Sequence, residues 1–332
     1  MDSSLFAKNK ILKEVVMKKI TIVGGGILGT QIGLVCAYWG KDVTLWLRSE
    51  ASIERTSPKI ERYSSLMMAD LDNAKTLIGN PMGQLLYPRG LIKEWNSVTE
   101  KMIDELYTRG KDNLKNIHIE LDLEKALSDA EIIIETISED PSAKKELYSS
   151  MRPYIGSKAL LLTNSSTMLP SQFAEYTGCP ARYLAMHFAN SIWKNNMVEI
   201  MGHPGTSENA YNLTVEFAEQ ISMTPICLNK EQPGYVLNSM LIPFLSSAQA
   251  LWANDIADPE TIDKAWEIGT GAPMGPFKIL DVVGLETVYN INLMKPGAND
   301  DGNVFYKICK KLKGKIDNGE TGINAGKGFY QY

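Results

Sequence analysis

The sequence predicts an α/β protein: a doubly wound, mostly parallel sheet interrupted by a helical hairpin, followed by an all-α C-terminal domain. Three observations carry that prediction. From Lys19 to about residue 230, short apolar runs alternate with segments of helical period, the pattern of a parallel sheet covered by helices on both faces. A polar helical stretch over residues 52–115 interrupts the alternation. Beyond Glu231 the strand signals stop.

Taken in order, KKITIVGGG (18–26) is a β-branched run ending in glycines, ILGTQIGLVCAYWG (27–40) has helical spacing and stops at Gly40, and DVTLWL (42–47) is a second buried strand. Within the insertion, the glycines and prolines of GNPMGQLLYPRG (79–90) separate two helical arms. NIHIEL, EIIIETI, ALLLTNSS, YLAMHF and MVEIM then read as strands, with DLEKALSDA, PSAKKELYSSMRPYI and PSQFAEYTG as the helices between them. The domain boundary falls near NKEQPGY (229–235). The expected organisation is an N-terminal extension (1–16), a nucleotide-binding domain (17–230) and a helical substrate and dimerisation domain (231–332).

Composition narrows the function. With 44% hydrophobic and 22% charged residues, the 332-residue chain has the balance of a soluble globular protein. Its net charge of -5 and scattered basic residues argue against nucleic acid as a partner. The uncharged stretch 232–254 is broken by Asn238, Pro243 and Gln249, so it reads as a buried or interfacial helix rather than a membrane span. Cys36, Cys179, Cys227 and Cys309 lie far apart with no metal-ligand spacing. Free thiols in a reducing, cytoplasmic compartment, and no metal, are expected. Lysines at 8, 10 and 13 interrupt the N-terminus, which lacks the apolar core of a signal peptide.

Two constellations carry chemistry. Gly24, Gly26 and Gly29 form G-x-G-x-x-G between a strand and a helix, with Ile27 and Leu28 completing the loop. In a Rossmann-type unit these glycines permit the tight turn, the close approach of a pyrophosphate and the packing of helix on strand. The helix N-terminus then faces the anion. A nicotinamide dinucleotide, NAD(P), is the expected cofactor. An NAD site ordinarily ends its second strand with a carboxylate; here Leu47 stands there, followed by Arg48 and Ser49. An arginine attracts a 2′-phosphate, so the sequence leans toward NADP(H). Glu50 is the alternative contact to the ribose.

The second constellation is His187 and Glu199, twelve residues apart on neighbouring strands. A carboxylate inside an apolar run is costly without a partner, and a histidine bonded to one acts as a general base near neutral pH. Read from the residues alone, a structural histidine is the alternative. His118, inside a strand, and His203, before a Pro-Gly turn, do not compete.

Over residues 18–332 the chain resembles the L-3-hydroxyacyl-CoA dehydrogenase family. The resemblance rests on the glycine fingerprint, IIIETISED, NSST, HFAN with its glutamate, QPGYVLN, GAPMGPFKILDVVGLET and the terminal GKGFYQY. It implies that His187 is the general base, Glu199 its orienting partner, and Ser166 and Asn238 the residues holding the substrate oxygen. It implies cofactor contacts from Glu135, Asn190, Lys144 and Asn164, the first residue of NSST. It also implies a homodimer through the C-terminal domain and a small-molecule substrate. The sequence departs from the family's usual His-Phe-Phe-Asn-Pro with HFANS, and Ser239 replaces a common arginine. The arm between strands two and three, where the family holds CoA, is long and offers Lys59, Arg62, Lys75 and Arg89. The leading expectation is a short-chain 3-hydroxyacyl-CoA dehydrogenase. The alternatives are a dehydrogenase of a free 3-hydroxy acid of gulonate or carnitine type, and a non-catalytic crystallin-like protein.

Overall fold

The computed structural model describes residues 16–87 and 89–332. The expected extension lies outside the described residues up to position 15. Two compact units divide at Tyr235 and Val236. Among the described residues, no helix is long and apolar enough to cross a membrane.

The N-terminal unit is an eight-stranded sheet in the order β3-β2-β1-β4-β5-β6-β7-β8. Its strands are β1 (Lys19–Val23), β2 (Asp42–Trp46), β3 (Ile117–Glu120), β4 (Ile132–Glu135), β5 (Leu160–Thr163), β6 (Tyr183–Phe188), β7 (Met197–Met201) and β8 (Thr224–Leu228). All neighbouring pairs run parallel except β6 and β7. The central strands β4, β5 and β6 are buried throughout, which is why they read as unbroken apolar runs.

Helices α1 (Ile27–Tyr38), α5 (Leu123–Leu127), α6 (Pro141–Met151) and α7 (Glu208–Gln220) connect the strands. Every residue from Gly29 to Tyr38 is buried. A helix apolar all round must be covered on both sides. The sheet covers one side of α1. The insertion, built from α2 (Glu50–Thr76), the short α3 (Gly83–Leu86) and α4 (Glu100–Asn113), supplies the other through α2 and α4. The hairpin is therefore part of the core.

Two local readings change. PSQFAEYTG forms two 3-10 turns, Pro170–Gln172 and Ala174–Thr177, rather than a short α-helix. Helix α7 and strand β8 carry no distinct signal in the sequence. TPICL carries Pro225 and is largely accessible, so it shows neither a buried run nor alternation.

The C-terminal unit is helical, with α8 (Leu237–Ala253), α9 (Pro259–Thr270), α10 (Pro276–Val283), α11 (Leu285–Leu293) and α12 (Val304–Asp317). Two carboxylates, both 1% exposed, explain its terminal motifs. Asp263 accepts from the backbone N–H of Phe277 at 2.7 Å and Lys278 at 3.0 Å, and from the Tyr330 hydroxyl at 2.9 Å. Asp281 accepts from the N–H of Phe329 at 2.8 Å and Tyr330 at 3.0 Å, and from the Tyr332 hydroxyl at 2.9 Å. Burial, then these carboxylates, pushes both tyrosine hydroxyls above their usual range, so they remain donors. Asp281→Ala strands three donors at once. We expect it to destabilise the C-terminal unit by about 3 kcal/mol, read by chemical denaturation.

Candidate active site

The glycine loop leaves β1 with Gly24 at φ +117°, a conformation side chains rarely adopt. A Cβ on Gly29 would collide with the Gly24 carbonyl oxygen and Thr136 Oγ1, whereas a Cβ on Gly26 would meet nothing within 4 Å. One glycine thus serves packing, and the other leaves open space before the N-terminus of α1. Ile27 is 55% exposed at that end, while Leu28 packs on the core. Beside the loop lies a cavity of about 600 Å³ lined by Gly24–Gly26, Leu47, Arg48, Ser52, Arg55 and Lys59 among others. Ser49 Oγ lies 3.1 Å from Ser52 Oγ, to which Arg55 donates at 3.0 Å. Lys59 donates to the Gly25 carbonyl at 3.2 Å. The open glycine, the helix end and three cations fit a dinucleotide. Glu50 does not line this cavity.

Glu135 and Lys144, which the family resemblance connects with the cofactor, are buried. They form an ion pair of 2.6 Å with side-chain exposures of 0% and 1%. Glu135 also accepts from Tyr148 and Thr163 hydroxyls at 2.6 and 2.8 Å. Burial, then Glu135, holds the Tyr148 hydroxyl well above its usual pKa. Neither member of the pair offers a polar atom to the cavity surface. Asn164 is also buried, its Oδ1 accepting from Phe188 N at 2.9 Å. Asn190 is exposed, and its carbonyl accepts from Asn195 Nδ2 at 2.7 Å.

The reversal between β6 and β7 sets His187 directly opposite Glu199. Nδ1 lies 3.0 Å from Glu199 Oε2, and Nε2 lies 3.1 Å from Ser166 Oγ. With Glu199 only 1% exposed, the carboxylate accepts from Nδ1–H and leaves Nε2 as the proton-accepting atom. The Ser165–Thr167 segment is held by Glu139, which accepts from Ser165 Oγ at 2.7 Å, Ser166 N at 3.0 Å and Thr167 Oγ1 at 3.2 Å. Asn238 is the second residue of α8, in the C-terminal unit.

Residues 89–232 match the NAD-binding domain of 3-hydroxyacyl-CoA dehydrogenase, and residues 234–332 match its C-terminal domain. A Deinococcus radiodurans protein named a probable 3-hydroxybutyryl-CoA dehydrogenase is 30% identical over 242 residues, covering 71% of this chain and 85% of its own. The chain belongs to the 3-hydroxyacyl-CoA dehydrogenase family. The 3-hydroxybutyryl-CoA dehydrogenase of Clostridioides difficile is 26% identical over 95% of this chain and 99% of its own. A solved diketoreductase, described as acting on dicarbonyl compounds, is 36% identical with a TM-score of 0.77, covering 95% of this chain and 99% of its own. Membership makes a nicotinamide dinucleotide the cofactor class.

Of the predicted residues, Ser166, His187 and Glu199 come together in one chain of contacts, and Arg48 reaches the cavity. Lys59, on the arm that the family resemblance connects with CoA, lines the cavity beside the glycine loop. Arg55, Glu139 and Tyr235 were assigned no role in the sequence. Arg55 lies in the second turn of α2 and lines the cavity. Lys144→Met should destabilise the protein by roughly 3–5 kcal/mol by stranding the Glu135 charge. Unchanged stability with weaker cofactor binding would instead make Lys144 a direct cofactor contact.

Proposed function

We propose that this protein interconverts a short-chain 3-hydroxyacyl-CoA and the 3-ketoacyl-CoA. The observation that carries the reading is the Ser166–His187–Glu199 chain, with contacts of 3.1 and 3.0 Å. A bound nicotinamide supplies the hydride acceptor in oxidation and the donor in reduction. His187 Nε2 takes the 3-hydroxyl proton in oxidation and returns it in reduction. Glu199 fixes the tautomer and supports the imidazolium. Ser166 Oγ holds the substrate oxygen within bonding reach, where positioning and electrostatic support lower the barrier. Asn238 enters this reading on the family resemblance alone.

The cofactor reading is NADP(H). Leu47 is 2% exposed where a ribose-binding carboxylate would stand, and Arg48, Arg55 and Lys59 bring positive charge to the cavity. Arg48→Ala should cut the preference for 2′,5′-ADP over ADP about tenfold, a change of about 1.4 kcal/mol, measured by calorimetry. Exposed apolar side chains on the C-terminal unit, including Met240, Ile268 and Met294, support a homodimer. Three buried cysteines without disulfides suit a reducing cytoplasm.

A second reading, reduction of a dicarbonyl compound without CoA, is favoured by the 36% identity to the diketoreductase. The deciding assay follows nicotinamide absorbance with NADPH and NADH. Acetoacetyl-CoA and a CoA-free diketone are offered to wild type and His187→Ala. Turnover of acetoacetyl-CoA that the substitution abolishes supports the first reading. Turnover of the diketone alone replaces it with the second.

A further inference from the structure

We propose that Tyr235 is a positioning residue that locks the imidazole of His187 and the Ser165–Ser166 segment into one reactive geometry. This rests on the reading of His187 as the base. The two rings stack with centroids 4.4 Å apart and planes 11° from parallel. The Tyr235 hydroxyl donates to the Ser165 carbonyl at 2.6 Å. The next residue, Ser166, meets the other end of the same imidazole at 3.1 Å. One side chain therefore grips the base by its face and the oxygen-holding segment by its backbone.

An aromatic that merely fills space does not require the backbone seen here. Tyr235 has φ +54° and directly follows Gly234 at φ +77°, so a non-glycine residue is held where side chains are rarely found. Such conformations persist where the surroundings over-determine them, and they collect at functional sites. Here the stack and the hydroxyl anchor provide that over-determination, with Tyr235 1% exposed.

The arrangement also has an electrostatic use. The ring covers one face of the imidazole and keeps water from it, leaving the in-plane nitrogens for Glu199 and Ser166. When Nε2 gains its proton, the tyrosine π-face stabilises the imidazolium. Burial, then the charges of Glu139 and Glu199, holds the Tyr235 hydroxyl above its usual pKa. It therefore remains the donor to Ser165 throughout the neutral range. From the opposite side, Glu139 ties down the same segment through three hydrogen bonds.

Tyr235→Phe keeps the stack and removes the anchor; Tyr235→Leu removes both. The test is a single-turnover stopped-flow measurement of nicotinamide oxidation with enzyme in excess, using whichever carbonyl substrate turns over above. Binding of 2′,5′-ADP reports on folding of each variant. We expect the rate constant to fall about tenfold in Tyr235→Phe and about a hundredfold in Tyr235→Leu, the scale of a misplaced reacting group. The amplitude and 2′,5′-ADP binding should be unchanged. A reduced amplitude with an unchanged rate constant means unfolded protein only, and overturns the proposal. So do unchanged rate constants in both variants. His187→Ala separates the layers. If it retains turnover, the underlying reading fails; if it is inactive while both Tyr235 variants match wild type, this inference alone fails.

Discussion

Glu199 is a carboxylate inside a sheet, 1% exposed, and this end of the sheet is arranged around making that tolerable. A buried ionised carboxylate without a partner would be severely penalised. His187 lies directly across the antiparallel pair, where facing side chains come closest. The single reversal in an otherwise parallel sheet is what permits this. It occurs just beyond the carboxyl ends of β1, β4 and β5, where open α/β sheets bind ligands. The glycine loop, Glu135 and the Ser165–Thr167 segment all leave the sheet at that edge. The need to satisfy the Glu199 charge and the placing of His187 beside Ser166 therefore have a common solution.

The same logic operates a layer below. Glu135 ends β4 and is neutralised by Lys144, with two hydroxyls and the Ile137 N–H also donating to it. Both residues belong to motifs that the family resemblance connects with the cofactor. Their pairing ties the end of β4 to α6, whose Ala143, Glu146 and Leu147 line the cavity beside the glycine loop. A buried pair of this kind adds little net stability compared with an apolar equivalent. What it provides is a defined position for the strand ends.

Much of this was legible in the sequence because it depends on periodicity and short-range spacing. The strand runs, the glycine triplet and the twelve-residue interval from His187 to Glu199 are local patterns. Glu139 and Tyr235 were not legible in that way. Glu139 lies 26 residues from Ser165, and Tyr235 lies 70 residues from the carbonyl it holds. Only the folded sheet brings them together. The position of Lys59 was not legible either: it stands on the arm, and helical geometry carries its side chain over the glycine loop. Strand β8 was missed because Pro225 and accessible side chains remove the signal that the central strands give.

The departure HFANS has a physical basis. Ser191 has φ +56°, and its N–H donates to Gln31 Oε1 at 3.0 Å. A proline, usual in the family at that point, has no N–H to donate and holds φ near -65°, so it could not occupy this turn. Something must stabilise the altered backbone, and the insertion does so. Lys194 pairs with the nearly buried Asp70 of α2 at 3.1 Å, and Tyr87 donates to the same carboxylate at 2.9 Å. Arg89 donates to Asn195 at 3.1 Å, and Asn195 holds the Asn190 carbonyl. The long arm and the unusual turn after His187 are therefore one coupled feature. A change in either alone would strand a charge or a backbone donor.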